Sequence, residues 1–427
     1  MEKLKFMMSR NNFLKIKIGA AALVLFFHKS LAQQALPLDS ILTRIERSHP
    51  ALKAPDARIR ELDTYASGTV TLPPPRVSGG FWMTPYNPKR WSQSGAHGDG
   101  MGSFMVSGEQ MLPNRKMQEA EGRYMASMSA MQGAEKGVMR NMLFAEAKTA
   151  WFNWLVLKRK IAVLDESKNL LRLMIESAKQ RYQFNREKLG SIYKAEAELT
   201  DLDRMQAMYA GEIRQQKTML VSLMQFPVED FEVDTAWQMP LLPSLPDTAL
   251  IAARSDIRVV EANLRTARLE QEFNRSKLKP EFGVRYDHMF TFGVQPWQFS
   301  LMGMVTVPIA PWANKDIKAK IEGIDYRLAA FEWEKAAIAN AVRGAAADRL
   351  VMMQTLQDQI ERYENDIVPN QRKRFQSTLL AYEQNTDELF MALDAWLELK
   401  MSRLAQLDLL QQLLQAKTAY EKELEIR

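Results

Sequence analysis

The chain of 427 residues contains no cysteine. Disulfides therefore contribute nothing to its stability, and no lipid can be attached through a cysteine. After the first 32 residues histidine is reduced to His49, His97 and His288, widely spaced, with no HExxH, CxxC or GxGxxG pattern. The acidic residues fall on charged helical faces, where solvation is their ordinary role. No enzyme, no cofactor and no metal site is expected. Nor does any segment reach 18 consecutive apolar residues, so no membrane-spanning helix is expected, and entry into a membrane would have to use strands. Proline is absent from Asn114 to Phe226, and only Pro369 interrupts Ala313 to Arg427.

What is present begins with charge. The formal net charge is +6, but residues 1–32 hold six basic side chains against Glu2 alone, leaving about +1 for the remainder. That excludes an electrostatic case for nucleic acid. The same stretch runs from basic residues into Ile18–Phe27 (IGAAALVLFF) and then Ser30-Leu31-Ala32. This is the order of a secretory signal peptide, cleaved after residue 32. A membrane anchor is the other reading, but ten apolar residues span only about 15 Å of helix, half of a bilayer core.

The remainder is written twice. YQFNREKLGSIYKAEAEL from Tyr182 and YEQNTDELFMALDAWLEL from Tyr382 agree, at a shift of 200 and without gaps, at Tyr182/Tyr382, Asn185/Asn385, Leu189/Leu389, Ala195/Ala395, Glu198/Glu398 and Leu199/Leu399. Further upstream, His49-Pro50-Ala51-Leu52 resembles Arg254-Ser255-Asp256-Ile257 at a shift of 205, and Pro75 falls on Pro280. The expected organisation is a first repeat over 33–226, a connector over 227–246 carrying Pro227, Pro240, Pro243 and Pro246, and a second repeat over 247–427.

Each repeat has one internal order. A helical stretch, Leu38 through Tyr65 or Ala249 through Phe273, leads to two strand-like segments about a polar loop; in the first repeat that loop holds Trp91, Gly95, Gly98 and Gly100. The strands are PRVSGGFWM and GSFMVSGEQML, then EFGVRYDHM and FSLMGMVTVPI. The last of these alternates with period 2, and the length of nine to eleven residues suits tilted membrane strands, although soluble hairpins share the pattern. The rest is long helix with apolar residues at helical spacing (Ile161, Leu164, Leu171, Ala178; Leu404, Leu407, Leu410, Leu414), which predicts antiparallel hairpins. One helix from Asn114 to about Phe184 would be roughly 100 Å long. The tyrosine motifs then fall at two equivalent hairpin tips, with Asn185 and Asn385 suited to a left-handed helix end.

Four strands cannot close a barrel, and open edges cannot face lipid. Membrane strands would have to be pooled, and three chains supply twelve. At this point the chain resembles the TolC family of outer-membrane efflux channels over nearly its whole length after residue 32. The resemblance rests on His49-Pro50-Ala51-Leu52, the strands led by Pro75 and Pro280, Ile367-Val368-Pro369, and the tyrosine motif ending in Leu393-Asp394-Ala395. Family members usually carry glycine where Asn185 and Asn385 stand. The resemblance implies a mainly α chain with membrane β. Tandem-duplicated helical hairpins and four strands would contribute to a homotrimeric twelve-stranded barrel and an α-helical periplasmic tunnel. It also implies tips that dock on a periplasmic adaptor serving an inner-membrane pump, in passive export. A periplasmic coiled-coil adaptor or scaffold is the alternative, but an adaptor would show nested rather than tandem order.

Residue roles follow from that resemblance. Converging tips would crowd Glu187, Asp387 and Glu388 into an acidic aperture, with Arg181, Arg186 and Arg374 locking it through ion pairs; the other reading makes them solvated caps. Tyr182, Asn185, Leu189, Tyr382, Asn385 and Leu389 are the expected adaptor contacts, or else they pack the turn. Phe81, Trp82, Trp91, Phe290, Phe292, Trp297 and Phe299 are the expected aromatic girdle against outer-membrane lipid, unless a soluble hairpin buries them. Of 26 methionines, nine lie between Met101 and Met142, with Met125, Met128 and Met131 at helical spacing. They suit either core filling or the binding of soft metal ions.

Overall fold

The structure is a computed structural model that describes residues 34–91, 100–225, 231–233, 248–308 and 310–427. The signal-peptide expectation lies outside the described residues, as do Gly95, His97, Gly98, Ile309 and all of the connector except 231–233.

The chain is mainly helical, with four of its strands in one sheet, as expected. Nine α-helices are described: α1 (Leu38–Ser48), α2 (Pro50–Ser67), α3 (Arg115–Gln183), α4 (Leu189–Met224), α5 (Thr248–Ala252), α6 (Ser255–Ser276), α7 (Pro311–Arg362), α8 (Val368–Glu383) and α9 (Leu389–Leu424). The strands are β1 (Gln34–Leu36), β2 (Arg76–Trp82), β3 (Ser103–Leu112), β4 (Phe231–Val233), β5 (Glu281–Thr291) and β6 (Gln298–Thr306).

Helix α3 spans 69 residues, about 103 Å. Its start is fixed by Asn114, whose side chain accepts from the Lys116 N–H at 2.9 Å. No proline interrupts it, and Leu157, Leu164, Leu171 and Ala178 bury a seven-residue seam. The second long helix has a defect. Between α7 and α8 the residues Tyr363–Ile367 form a π turn, immediately before Pro369. Proline cannot donate to the carbonyl four residues earlier and its ring crowds that carbonyl, and a widened turn relieves both problems.

The upper helices form a layer in the order α2–α3–α6–α7, matching the sheet order β2–β3–β5–β6. The lower part of α3 pairs with α4, and α8 pairs with α9, giving two hairpins side by side. Buried apolar residues run along this stack in three clusters. One lies between the hairpins around Trp396 and Phe375. The second lies at mid-height around Trp151 and Trp154, and the third around Leu350 and Tyr420.

Two details differ from expectation. The opening helix of each repeat is broken rather than continuous, at His49 between α1 and α2 and at Arg254 before α6. Both break residues are extended, with ψ of 125° and 147°. Pro50 forces that conformation on His49, and in the second repeat Arg254 holds it while bonded to Asp256 at 2.6 Å and 2.9 Å. The break is thus duplicated with the sequence. The second difference is the parallel pair β1–β4, in which Gln34 is paired with Phe231 and Leu36 with Val233. It was not anticipated because three-residue strands carry no periodicity.

Candidate functional site

Two surfaces merit description: the hairpin tips and the faces of the sheet. At the tips, Asn185 and Asn385 adopt left-handed backbone conformations, with φ of 55° and 58°. Each closes its helix in the same way. The Arg186 N–H donates to the Arg181 carbonyl and the Thr386 N–H to the Ala381 carbonyl, while Asn185 and Asn385 donate to the carbonyls of Tyr182 and Tyr382. This is the Schellman pattern of helix termination. Glu187 and Asp387 accept from the N–H of Lys188 and Glu388, each at 2.9 Å. Thr386 turns back rather than forward, its hydroxyl donating to the Ala381 carbonyl.

The tips are tied to each other. Arg181 donates to the Tyr382 carbonyl at 2.6 Å, the Glu383 carbonyl at 2.9 Å and the Asn385 side chain at 3.0 Å. Lys188 meets Glu388 at 2.7 Å. Between the tips lies a cleft of about 430 Å³ lined by Arg181, Arg186, Glu187, Lys188, Tyr382, Asp387 and Glu388, among others. Arg374 is not part of it. It pairs instead with Asp394 at 2.7 Å, further up the second hairpin.

The duplicated tyrosines differ. Tyr182 is 43% exposed and Tyr382 only 2%. Burial, then the Glu187 carboxylate, pushes the Tyr382 hydroxyl up to about 12. Leu389 is fully buried and Leu189 is not. Tyr382 and Leu389 are therefore packed inside the turn. The exposed apolar groups near the tips are Tyr182, Phe184, Leu189, Tyr193, Phe390 and Met391. Of these, Phe184, Tyr193, Phe390 and Met391 escaped sequence reasoning because they lie off the repeated motif positions.

The sheet is turned inside out relative to a soluble one. Register places Val77, Phe81, Phe104, Val106, Leu112, Phe282, Val284, Tyr286, Phe290, Phe299, Leu301 and Val305 on one face. That apolar face is the open one: Val77 is 74% exposed and Leu301 66%. The other face carries Arg76 near Glu109 and the Arg285–Asp287 pair at 2.8 Å, with Ser300 donating to Asp287 at 3.1 Å. Its edges, β2 and β6, are unpaired among the described residues.

Aromatic rings gather at the end of the sheet remote from the helices. Trp91 stacks on Phe292 at 5.3 Å, Phe81 lies 5.3 Å from Trp91, and Phe290 meets Trp297 at 5.2 Å. Phe299 stacks on Tyr286 at 6.1 Å. Trp82 follows the opposite parity from Phe81 and Phe299 and so lies on the polar face. Met125, Met128 and Met131 are half-buried along α3.

No family model and no curated protein matches this chain. Solved structures do. The CusC structure, described in terms of folding and transmembrane channel formation, superposes with a TM-score of 0.73 at 13% identity, over 91% of either chain. The outer membrane protein VceC of Vibrio cholerae gives 0.66 at 16% identity, over 91% of this chain and 95% of that one. The open MtrE outer membrane channel of Neisseria gonorrhoeae gives 0.67 at 14%, over 91% and 88%. The chain therefore has the fold of these structures, mainly helical with a four-stranded sheet, as the resemblance to TolC-family proteins implies for the single chain.

Proposed function

We propose that this chain is the outer-membrane channel component of a tripartite efflux system, a homotrimer that conducts passively between the periplasm and the exterior. The inside-out sheet carries the reading. In water, an antiparallel sheet buries its apolar face and solvates the polar one. Here the apolar face is open and the polar face holds an internally paired charge network, the arrangement required when lipid is outside and water within. The open edges β2 and β6 would be untenable in lipid unless other copies pair with them. The helical layer offers matching free sides at α2 and α7, so one symmetry operation closes both layers. Three chains supply twelve strands and twelve upper helical segments.

The helical hairpins then extend into the periplasm, and their tips meet an adaptor that leads to an inner-membrane pump. The acids Glu187, Asp387 and Glu388 would ring the aperture. The similarity to CusC, a structure of transmembrane channel formation, and to the MtrE outer membrane channel supports the same reading. Fractionation followed by native mass measurement in detergent tests it. A detergent-requiring trimer in the outer-membrane fraction, with conductance in planar bilayers, is the expected result. A soluble monomer would overturn it in favour of a periplasmic scaffold.

A further inference from the structure

All five methionines of the four-stranded sheet lie on one face. Register puts Met105, Met111, Met289, Met302 and Met304 on the polar side with Arg285, Asp287 and Ser300. The open apolar face is built mainly from Phe, Val, Leu and Tyr, with Gln110 and His288 among them, and contains no methionine among the described strand residues. Methionine used only as apolar filler would not sort itself this way, because the apolar face is where such a filler belongs. The sorting follows the sulfur instead.

One row is arranged more closely than the rest. Met111 is paired with Gly283, and Gly283 with Met304, so two thioethers flank a residue without a side chain. A methyl group placed on Gly283 would lie 2.6 Å from the Met111 Sδ and 3.1 Å from the Met304 Cε. Both side chains therefore lean over the glycine into the space its missing Cβ leaves. The adjacent row is Glu109, Arg285 and Met302 on the same face, which adds a third thioether, while the Glu109 carboxylate there is balanced by Arg76 and Arg285. Both rows stand near the end of the sheet that joins the helices, because Leu112 precedes α3 and Thr306 precedes α7 by only a few residues.

Thioethers are soft donors that select d10 monovalent cations such as Cu(I) and Ag(I) over hard ions and over Zn(II) with its imidazole preference. We propose that Met111 and Met304, converging over Gly283, form a thioether site for a soft monovalent cation on the inner face of the barrel. The location inside a bore rests on the channel reading; binding itself does not.

The probe is Ag(I), added as a chloride-free salt to the purified full-length protein in detergent and followed through the ε-methyl resonances of 13C-methyl-labelled methionine. The Met111 and Met304 resonances, assigned from Met111→Leu and Met304→Leu, should shift before those of any helical methionine. The double leucine variant keeps side-chain volume and should lose one retained silver equivalent per chain. Gly283→Ala, which keeps both sulfurs but fills the space between them, should lose the same equivalent. Met125→Leu with Met128→Leu should retain it. Silver that shifts helical methionines first, or that is held equally by the double variant, would overturn the site. Native mass and conductance on the same samples keep the two readings apart. Silver bound by a non-conducting monomer removes the channel and leaves the site, whereas a conducting trimer indifferent to the substitutions removes the site alone.

Discussion

The guanidinium of Arg181 lies 4.3 Å from the ring centre of Tyr382, so the end of the first hairpin covers the tyrosine of the second. The position matching Arg181 in the second repeat is Ala381, so the contact has no counterpart across the duplication. Together with the apolar cluster around Met174, Ala178 and Phe375, it leaves Tyr382 buried while Tyr182 is open.

Arg181→Ala removes that stacking together with three hydrogen bonds to the second tip. Local stability of the tips should fall by about 1.5–3 kcal/mol, the range for hydrogen bonds from a charged group. The measurement is amide exchange, which should quicken over 182–188 and 382–388 and stay unchanged in the upper helices. Arg181→Lys should not restore protection, because a point charge cannot replace a planar fork with several donors. Unaltered exchange in the alanine variant would mean that the tips are held elsewhere.

Asn185 and Asn385 occupy left-handed conformations. Replacing either by alanine should cost about 1–2 kcal/mol, whereas glycine should be neutral or slightly stabilising. Denaturant midpoints with unchanged slopes would report this. Equal effects of alanine and glycine would show that the asparagine side chains, rather than the backbone, are what the turn needs.

These two asparagines also show what the sequence makes legible. A duplicated motif reveals a turn because backbone geometry is a local property, and both tips fall where the repeat places them. The long helices were equally plain, since uninterrupted apolar periodicity without proline has no other stable solution. The ion partner of Arg374 was not legible. Its pairing with Asp394 depends on the register between α8 and α9, which residue types alone do not determine. Nor did the repeat disclose that Tyr382 is buried and Tyr182 exposed, because that difference comes from packing against other helices, Arg181 included.

The raised Tyr382 hydroxyl gives a pH dependence of known sign. A folded-state pKa of about 12, against about 10 when unfolded, means that the fold favours the neutral phenol. Its contribution is complete below about pH 10 and is lost as pH rises towards about 12. Tyr382→Phe should flatten stability across that window. The Lys188 ammonium is also held above its usual range, by the hydrogen bond to Glu388 and then by that carboxylate's charge, so it too loses its proton only in alkali. Thermal melts of Tyr382→Phe with and without Lys188→Gln separate the two. A wild-type alkaline limb retained in the phenylalanine variant would assign the effect to lysine.

The acids of the tips can be separated because their bonds differ. Asp387 accepts only a local backbone N–H among its described contacts, whereas Glu388 bridges the two hairpins through Lys188. Asp387→Asn keeps an accepting oxygen and should lower cation preference in single-channel recordings without quickening amide exchange. Glu388→Gln should quicken exchange at both tips. Unchanged cation preference in Asp387→Asn would reduce these acids to caps of their turns.

The sharpest test of the membrane assignment uses adjacent residues of β6. Leu301 lies opposite Tyr286 on the open apolar face, while Ser300 lies opposite Asp287 on the polar one. Both are near the middle of the strand, so a bilayer flanking the sheet would have its midplane close to them. Arginine on a lipid-facing position at that depth costs about 2–4 kcal/mol, whereas on a water-filled bore it is tolerated. Leu301→Arg should therefore deplete the trimer recovered from the outer-membrane fraction, and Ser300→Arg, placed beside Asp287, should leave it near wild type. If the sheet stood in water the order would reverse. Leu301 is already exposed, and charging it would cost nothing, while Ser300→Arg would disturb the hydrogen bond from Ser300 to Asp287. The sign of the difference between neighbouring substitutions thus reads which face meets lipid.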